Sequence, residues 1–154
     1  MSKNAPHRYP GSVGRLSYVR YYLDGTAIIR SVEDSAESDA LREWLAAHPS
    51  ELVTSVLSRW QAAEGMAKLD RGQRMRAYDQ LGAIPEIPVS GRALEIGSYA
   101  VSAVSPYAAL HVGLAQAEES VTVVVTYDPE VASAARIYGL RVVTPGRDAG
   151  WYVT

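Results

Sequence analysis

Tyr21-Tyr22-Leu23-Asp24-Gly25-Thr26-Ala27 is the stretch whose reading decides the fold. The β-rich run Tyr18-Val19-Arg20-Tyr21-Tyr22-Leu23 ends in a single carboxylate, Asp24. Small and hydroxyl residues follow, then the apolar segment Ala27-Ile28-Ile29. That order reads as strand, tight turn, helix. An Asp at the carboxyl end of a first strand stands where open α/β sheets collect ligands. The same Asp is also a natural N-cap for the helix that follows. At this point both roles are open.

Working outward, residues 35–47 carry Ala36, Ala40, Leu41, Trp44 and Leu45 at helical spacing, and Pro49 stops that helix. Leu52-Val53-Thr54 reads as a short second strand. The helix over 55–68 is expected to bury Val56, Leu57, Trp60, Ala63, Met66 and Ala67. A further helix over 72–81 carries Arg74 and Arg76, with Arg71 just ahead of it, and Gly82 is expected to close it. Ile84-Pro85-Glu86-Ile87-Pro88-Val89 is extended, but its two prolines exclude a central strand. Helices are predicted over 91–101 and from Ser105-Pro106 to about residue 117.

Val121-Thr122-Val123-Val124-Val125-Thr126 is a continuous β-branched run, the pattern of a strand covered on both faces in a parallel sheet. It ends in Tyr127-Asp128-Pro129. A helix over 130–138, a cap at Gly139 and a last strand, Leu140-Arg141-Val142-Val143, complete the order. Strands alternating with helices predict a three-layer α/β/α sandwich around a mainly parallel sheet.

Composition sets outer bounds. A chain of 154 residues, 47% hydrophobic and 21% charged, is most simply one domain with a real core. It has no cysteine, which rules out disulfides and thiolate metal sites. No apolar run is long enough to span a membrane, and Lys3, His7 and Arg8 are not followed by the apolar core of a signal peptide, so a cytoplasmic protein is expected. A net charge of −2 gives no general pull toward nucleic acid, so any such contact needs a local arginine patch.

Two strands ending in Asp is the useful coincidence. If those strands are neighbours, Asp24 and Asp128 converge at one end of the sheet, where they repel unless a cation or a shared proton intervenes. Oxygen ligands suit a hard ion such as Mg²⁺. Each Asp also fits a helix cap, and Asp-Pro is a common turn opener.

Leu23-Asp24-Gly25-Thr26-Ala27 resembles the opening motif of PIN-domain nucleases. Val53-Thr54-Ser55-Val56-Leu57, with position 61 and then Gly65, resembles the second block of that family. Pro106-Tyr107-Ala108-Ala109-Leu110-His111 is similar to its third, and Val125-Thr126-Tyr127-Asp128-Pro129 with Gly139-Leu140-Arg141-Val142-Val143 to its fourth and its close. The resemblance covers roughly 19–145 and is nearest to VapC-type toxins of toxin–antitoxin pairs. It implies a PIN-like domain over 18–146, with a flexible N-terminal tail at 1–17 and a C-terminal tail at 147–154. It also implies an Mg²⁺- or Mn²⁺-dependent endoribonuclease acting on RNA, usually a homodimer, held inactive by a cognate antitoxin protein.

Such enzymes gather about four carboxylates around metal that neutralises the phosphate and activates water. Here the match departs from the family. The second-block acid falls on Gln61 and the third-block acid on Ala108, leaving Asp24 and Asp128 in register as metal ligands. Weak metal binding is therefore expected. Glu64, one turn from Gln61, is a possible substitute. Thr26 is a candidate for holding a metal-bound water, although a helix-start hydroxyl is its commoner role. His111, usual in the family motif, reads as a core histidine before a ligand. Natural divergence and deliberate disarming both fit the two replacements; Trp60 beside Gln61 favours divergence.

Asp70, Arg71, Arg74 and Arg76 read as a solvated helix face before a phosphate patch. With no phenylalanine in the chain, several of the ten tyrosines must fill the core. The resemblance places Trp44 and Trp60 near the antitoxin groove. Two functions follow, a toxin-type ribonuclease with an incomplete site and a non-catalytic PIN-like module that binds RNA or protein.

Overall fold

The structure is a computed structural model and describes residues 18–153; the expected N-terminal tail lies outside them. Four strands form the sheet: β1 (Arg20–Leu23), β2 (Leu52–Val53), β3 (Val121–Val125) and β4 (Arg141–Val143). Their order is β2-β1-β3-β4, and every pairing is parallel. The helices among the described residues are α1 (Gly25–Val32), α2 (Ala36–Ala47), α3 (Val56–Gly65), α4 (Arg71–Ala83), α5 (Gly91–Ala100), α6 (Pro106–Ala117) and α7 (Pro129–Ile137). A 3₁₀ turn, Met66–Lys68, follows α3.

The alternation of side chains along β1 and β3 separates two cores. Tyr22 and Val124 face one side, where Ala93 of α5, Val112 and Ala115 of α6 and Ala134 of α7 pack. Leu23 and Val125 face the other, with Ala27 and Ile28 of α1, Leu41 of α2, Ala62 of α3 and Leu81 of α4. Helices therefore cover both faces, as the apolar run at 121–126 requires. The expected three-layer sandwich is observed, with β3 directly beside β1. Leu23 pairs with Val125, so Asp24 and Asp128 leave the sheet from the same edge.

Several local expectations change. The buried side of α3 is Leu57, Ser58 and Ala62, continued by Met66, while Trp60 is 64% exposed and Val56 and Ala63 also face solvent. Periodicity misread this helix because a serine, Ser58, and not an apolar group supplies part of its inner face. Gly82 lies inside α4, which starts at a capping box formed by Asp70 and Gln73 and ends after Ala83. Gly139 does take the left-handed conformation expected of the residue after α7 (φ 77°). The proline-bearing segment at 84–89 lies beyond β2, touching it through Thr54, whose N–H bonds Pro85 O at 2.9 Å and whose C=O receives Ile87 N–H at 2.8 Å.

The last turns pack against the body. Arg147 meets Glu37 at 2.9 Å, and the indole N–H of Trp151 donates to Thr144 Oγ1 at 2.8 Å. Helices α5 and α6 approach closely because Gly113 faces Gly97. A Cβ at 113 would overlap the Ala93 carbonyl oxygen and stand 2.8 Å from Gly97 N. Gly113→Ala is therefore expected to cost about 1–3 kcal/mol by overpacking. Gly82→Ala, with nothing within 4 Å of its new Cβ, should stabilise by about 0.5–1 kcal/mol through helix propensity. Urea denaturation of the two variants checks both signs.

Candidate active site

Asp24 is fully buried at the junction of β1 and α1. Its Oδ1 accepts from the Thr26 hydroxyl (2.6 Å) and from Ala27 N–H (3.1 Å), and its Oδ2 accepts from the Thr126 hydroxyl (2.6 Å). It is thus the N-cap of α1, and it also ties the end of β1 to the end of β3. The Thr26 oxygen in turn accepts from Tyr127 N–H (2.8 Å), and the Thr126 oxygen from Asp128 N–H (2.9 Å). Thr26 is therefore the helix-start hydroxyl. Asp128 caps α7 through its Oδ1, which accepts from Glu130 N–H at 2.8 Å and Val131 N–H at 3.4 Å.

Gln61 joins the site from α3. Its Oε1 accepts the Gly25 N–H at 2.6 Å, satisfying one of the unpaired donors at the start of α1. A side chain at Gly25 would meet Ala62 N and Gln61 Cβ at 2.6 Å, so glycine is what lets α1 and α3 close on each other. Ala108, buried on the first turn of α6, presents a methyl group, and its N–H is capped by Ser105 Oγ at 3.3 Å. Glu64 is exposed; its charge acts on Tyr107, and it does not join the two aspartates in a cluster. His111 lies in the core, its Nδ1 2.7 Å from the Tyr22 hydroxyl.

The sequence singled out Asp24, Asp128, Gln61 and Thr26; the structure bonds Thr26 to Asp24, links the Asp128 amide to Asp24 through Thr126, and ties Gln61 to the backbone of Gly25 beside them. It missed Thr126, the donor that links the two aspartates. The signal was present, since Thr126 stands two residues before Asp128 in the fourth block. It also missed the buried polar ring of Tyr22, Ser55, Ser58 and His111, because a strand tyrosine reads as core.

These residues are a poor match for a Mg²⁺ or Mn²⁺ centre, which favours more anionic oxygens than they supply. They supply two carboxylates, Asp24 and Asp128, of which Asp24 already accepts three hydrogen bonds and Asp128 two through Oδ1; Gln61 offers a neutral oxygen bonded to the Gly25 amide, and Ala108 none. Among the described residues no three His, Cys, Asp or Glu side chains cluster as metal ligands.

Burial raises the Asp24 carboxyl from its ordinary 3.8 to about 6, against the lowering effect of its three hydrogen bonds and with a further push from the Asp128 charge. Burial lowers His111 from 6.5 to about 3. The two act with opposite sign on stability. Folded Asp24 holds its proton where the unfolded chain has lost it, so its contribution falls as pH rises from about 4 to about 6. Folded His111 refuses a proton that the unfolded chain accepts, so its contribution grows as pH rises from about 3 to about 6.5. Asp24→Asn should therefore steepen the rise of stability between pH 4 and 6, by an amount on the order of 2–3 kcal/mol over that interval. Asp24→Ala should instead lower stability at pH 7 by about 1–2 kcal/mol through loss of the cap. Urea titrations at a series of pH values measure both.

Residues 21–138 match the PIN domain family model. The ribonuclease VapC35 of Mycobacterium tuberculosis is 31% identical over 139 residues, covering 82% of this chain and 97% of that protein. The ribonuclease VapC46 of the same organism is 30% identical, covering 80% and 96%. Among solved structures, the DNA-bound VapBC complex of Salmonella typhimurium contains a similar chain at 18% identity and a TM-score of 0.60. FitAcB of Neisseria gonorrhoeae contains another at 19% and 0.57. Each match covers 81% of this chain and 97% of the other. With the motifs, the topology and these relatives in agreement, the chain belongs to the PIN-domain family and, within it, to the VapC type.

Proposed function

We propose that this chain is a VapC-type toxin in fold and partnership whose nuclease centre is incomplete, so that it binds divalent metal poorly and cleaves RNA weakly or not at all. PIN-domain ribonucleases of the VapC type are generally divalent-metal dependent. The observation that carries the reading is the fate of position 61. Its only oxygen-bearing group is a neutral amide committed to the Gly25 N–H, while position 108 offers a methyl. Asp24 and Asp128 alone supply two negative charges. Mg²⁺ surrenders its waters reluctantly and takes few direct protein ligands, so each missing carboxylate weighs heavily. Misplacement of an ion against a phosphate also costs about a hundredfold in rate.

The partners follow from the same reading. The relatives solved as VapBC and FitAcB are complexes, which supports a cognate antitoxin for this chain. Exposed apolar side chains on α3 and α4, namely Val56, Trp60, Met75 and Tyr78, support a protein contact there. Trp44 supports it less, being half-buried in a stack with His48 (4.2 Å between centroids) and an edge contact with Tyr21 (5.0 Å). A homodimer and an RNA ligand complete the proposal. No helix among the described residues is long and apolar enough to cross a membrane, which agrees with a cytoplasmic location.

Millimolar Mn²⁺ should leave the melting temperature of this chain unmoved and raise that of the double variant Gln61→Glu, Ala108→Asp by mass action. The same double variant should gain chelator-sensitive cleavage of a structured RNA. Strong metal-dependent cleavage by the unmodified chain would overturn the reading and point to another acid, Glu64 first. Failure of both proteins on any RNA would favour a non-catalytic PIN-like module that binds RNA or protein.

A further inference from the structure

The chain that follows β4 turns back on itself at the edge of the sheet where Asp24 and Asp128 stand. Val143 of β4 pairs with Val125 of β3, so the segment after it leaves from the same carboxyl edge. Thr144-Pro145-Gly146-Arg147 has the residue pattern of a type II turn: the Arg147 N–H donates to Thr144 O at 3.0 Å, and Gly146 has φ 89°. Asp148-Ala149-Gly150-Trp151 makes a second turn, with the Trp151 N–H on Asp148 O at 3.2 Å and Gly150 at φ 74°. Hydrogen bonds in series tie these turns to the site. The Trp151 indole N–H donates to Thr144 Oγ1 (2.8 Å), the Thr144 hydroxyl to Thr126 O (2.9 Å) and the Thr126 hydroxyl to Asp24 Oδ2 (2.6 Å).

Arg147 is held in place at these turns. Its Nε donates to Glu37 Oε1 at 2.9 Å, and its guanidinium carbon lies 4.3 Å from the Trp151 ring centre and 5.5 Å from that of Tyr127. One ion pair and two aromatic contacts thus fix the plane of the guanidinium fork, which keeps its remaining donors pre-organised. Its two terminal nitrogens have no acceptor among the described residues. With a net charge of −2, the chain has no general pull on a polyanion, so a contact here works through one oriented fork and not through a field.

Beside the fork is a cavity of about 300 Å³, bordered by Thr144, Arg147, Asp148, Trp151 and Tyr152. That is the small end of the range for ligand sites, about 300–1,000 Å³. Tyr152 also borders a second hollow of about 480 Å³ against α7, where Arg136 is exposed. A planar donor fork takes a phosphate bidentately, and an aromatic face takes any unpaired base by stacking. Both are present here, and Trp151 and Tyr152 are each part-exposed. The place selects the ligand. Thr144 is bonded directly to Thr126, at the edge where a phosphodiester would meet the two aspartates.

We infer that this cavity is a nucleotide subsite for single-stranded RNA: Arg147 holds a backbone phosphate, and Trp151, with Tyr152 at 5.6 Å between ring centres, stacks on the adjoining base. The inference rests on the reading of RNA as a ligand of this chain, and it does not need cleavage at the aspartates. Glu37 is the positioning residue that sets the fork. Asp148, exposed on the same rim, repels a second phosphate and so keeps the base, not the backbone, on the aromatic side. The strand then runs from the aspartate edge past Thr144 toward α7 and Arg136.

The test is binding of a fluorescein-labelled single-stranded RNA decamer, read by anisotropy in EDTA so that no strand is cut, with an abasic strand of equal length beside it. Arg147→Gln should weaken both strands alike, by roughly tenfold, and should lower the slope of log K against log salt by about 0.7. Trp151→Leu should weaken RNA by roughly tenfold and leave both the slope and the abasic strand unmoved. Trp151→Phe should keep most of the affinity. Because Arg147 and Trp151 also tie the last turns to the body, thiouridine photocrosslinking to the unmodified chain gives a second reading, with adducts expected on Trp151 or Tyr152. Adducts confined to other residues, or affinities and slopes that ignore both substitutions, would overturn the inference and leave the proposed function standing. Absence of any RNA binding by the unmodified chain would overturn the inference together with RNA as a ligand.

Discussion

The two hydrogen bonds of 2.6 Å that Thr26 and Thr126 donate to Asp24 are the constraint on which the rest of this structure depends. Asp24 is fully buried, and a carboxylate out of water is tolerated only when its oxygens are satisfied. Satisfying them fixes three things together. Thr26 and Ala27 start α1 at residue 25, Thr126 brings the end of β3 beside the end of β1, and Asp128 hangs from the Thr126 oxygen through its own N–H. The sheet edge and the pair of aspartates are therefore products of one hydrogen-bonded unit.

That unit also explains how the scaffold holds two aspartates together with a glutamine at 61 and an alanine at 108. In a metal centre, repulsion among several carboxylates is relieved by the cation. Here fewer charges meet, and protein donors relieve what remains. Gln61 illustrates the exchange. A glutamate would offer the Gly25 N–H the same kind of oxygen, so the amide keeps the contact that locks α1 to α3 while removing the charge. The helix contact therefore does not depend on a charge at 61. Position 108 offers no such contact, because its side chain is a methyl group, and one helical turn on His111 Nε2 has no hydrogen-bond partner among the described residues.

Much of the fold was legible in the sequence because it rests on apolar patterning. The unbroken run at 121–126 announced a strand covered on both faces, and the Asp endings of two strands announced a shared edge. The site was legible where one residue type has one job, as at Asp24. Legibility failed where polar groups pack inward. Trp60 reads as a core residue at helical spacing, yet it is 64% exposed, because Ser58 occupies the inner face of α3 to reach Tyr22 and Leu23. Gly82 reads as a helix end, but helix α4 continues to Ala83. Thr126 reads as the last residue of a strand, whereas its hydroxyl is the link between the two aspartates. For Trp60 and Thr126 the deciding fact is a partner distant in sequence, which no local pattern reports.

The central claim is that the remaining acids, held by protein donors, no longer form a divalent-ion site. Paramagnetic broadening by Mn²⁺ tests it most directly, read at the backbone amides of residues 24–27 and 126–131 in the unmodified chain. The account predicts weak, unsaturable broadening there, no stronger than at the exposed carboxylates of Asp34 and Asp39. Selective broadening of both segments that saturates at low Mn²⁺ and reverses with chelator would contradict it.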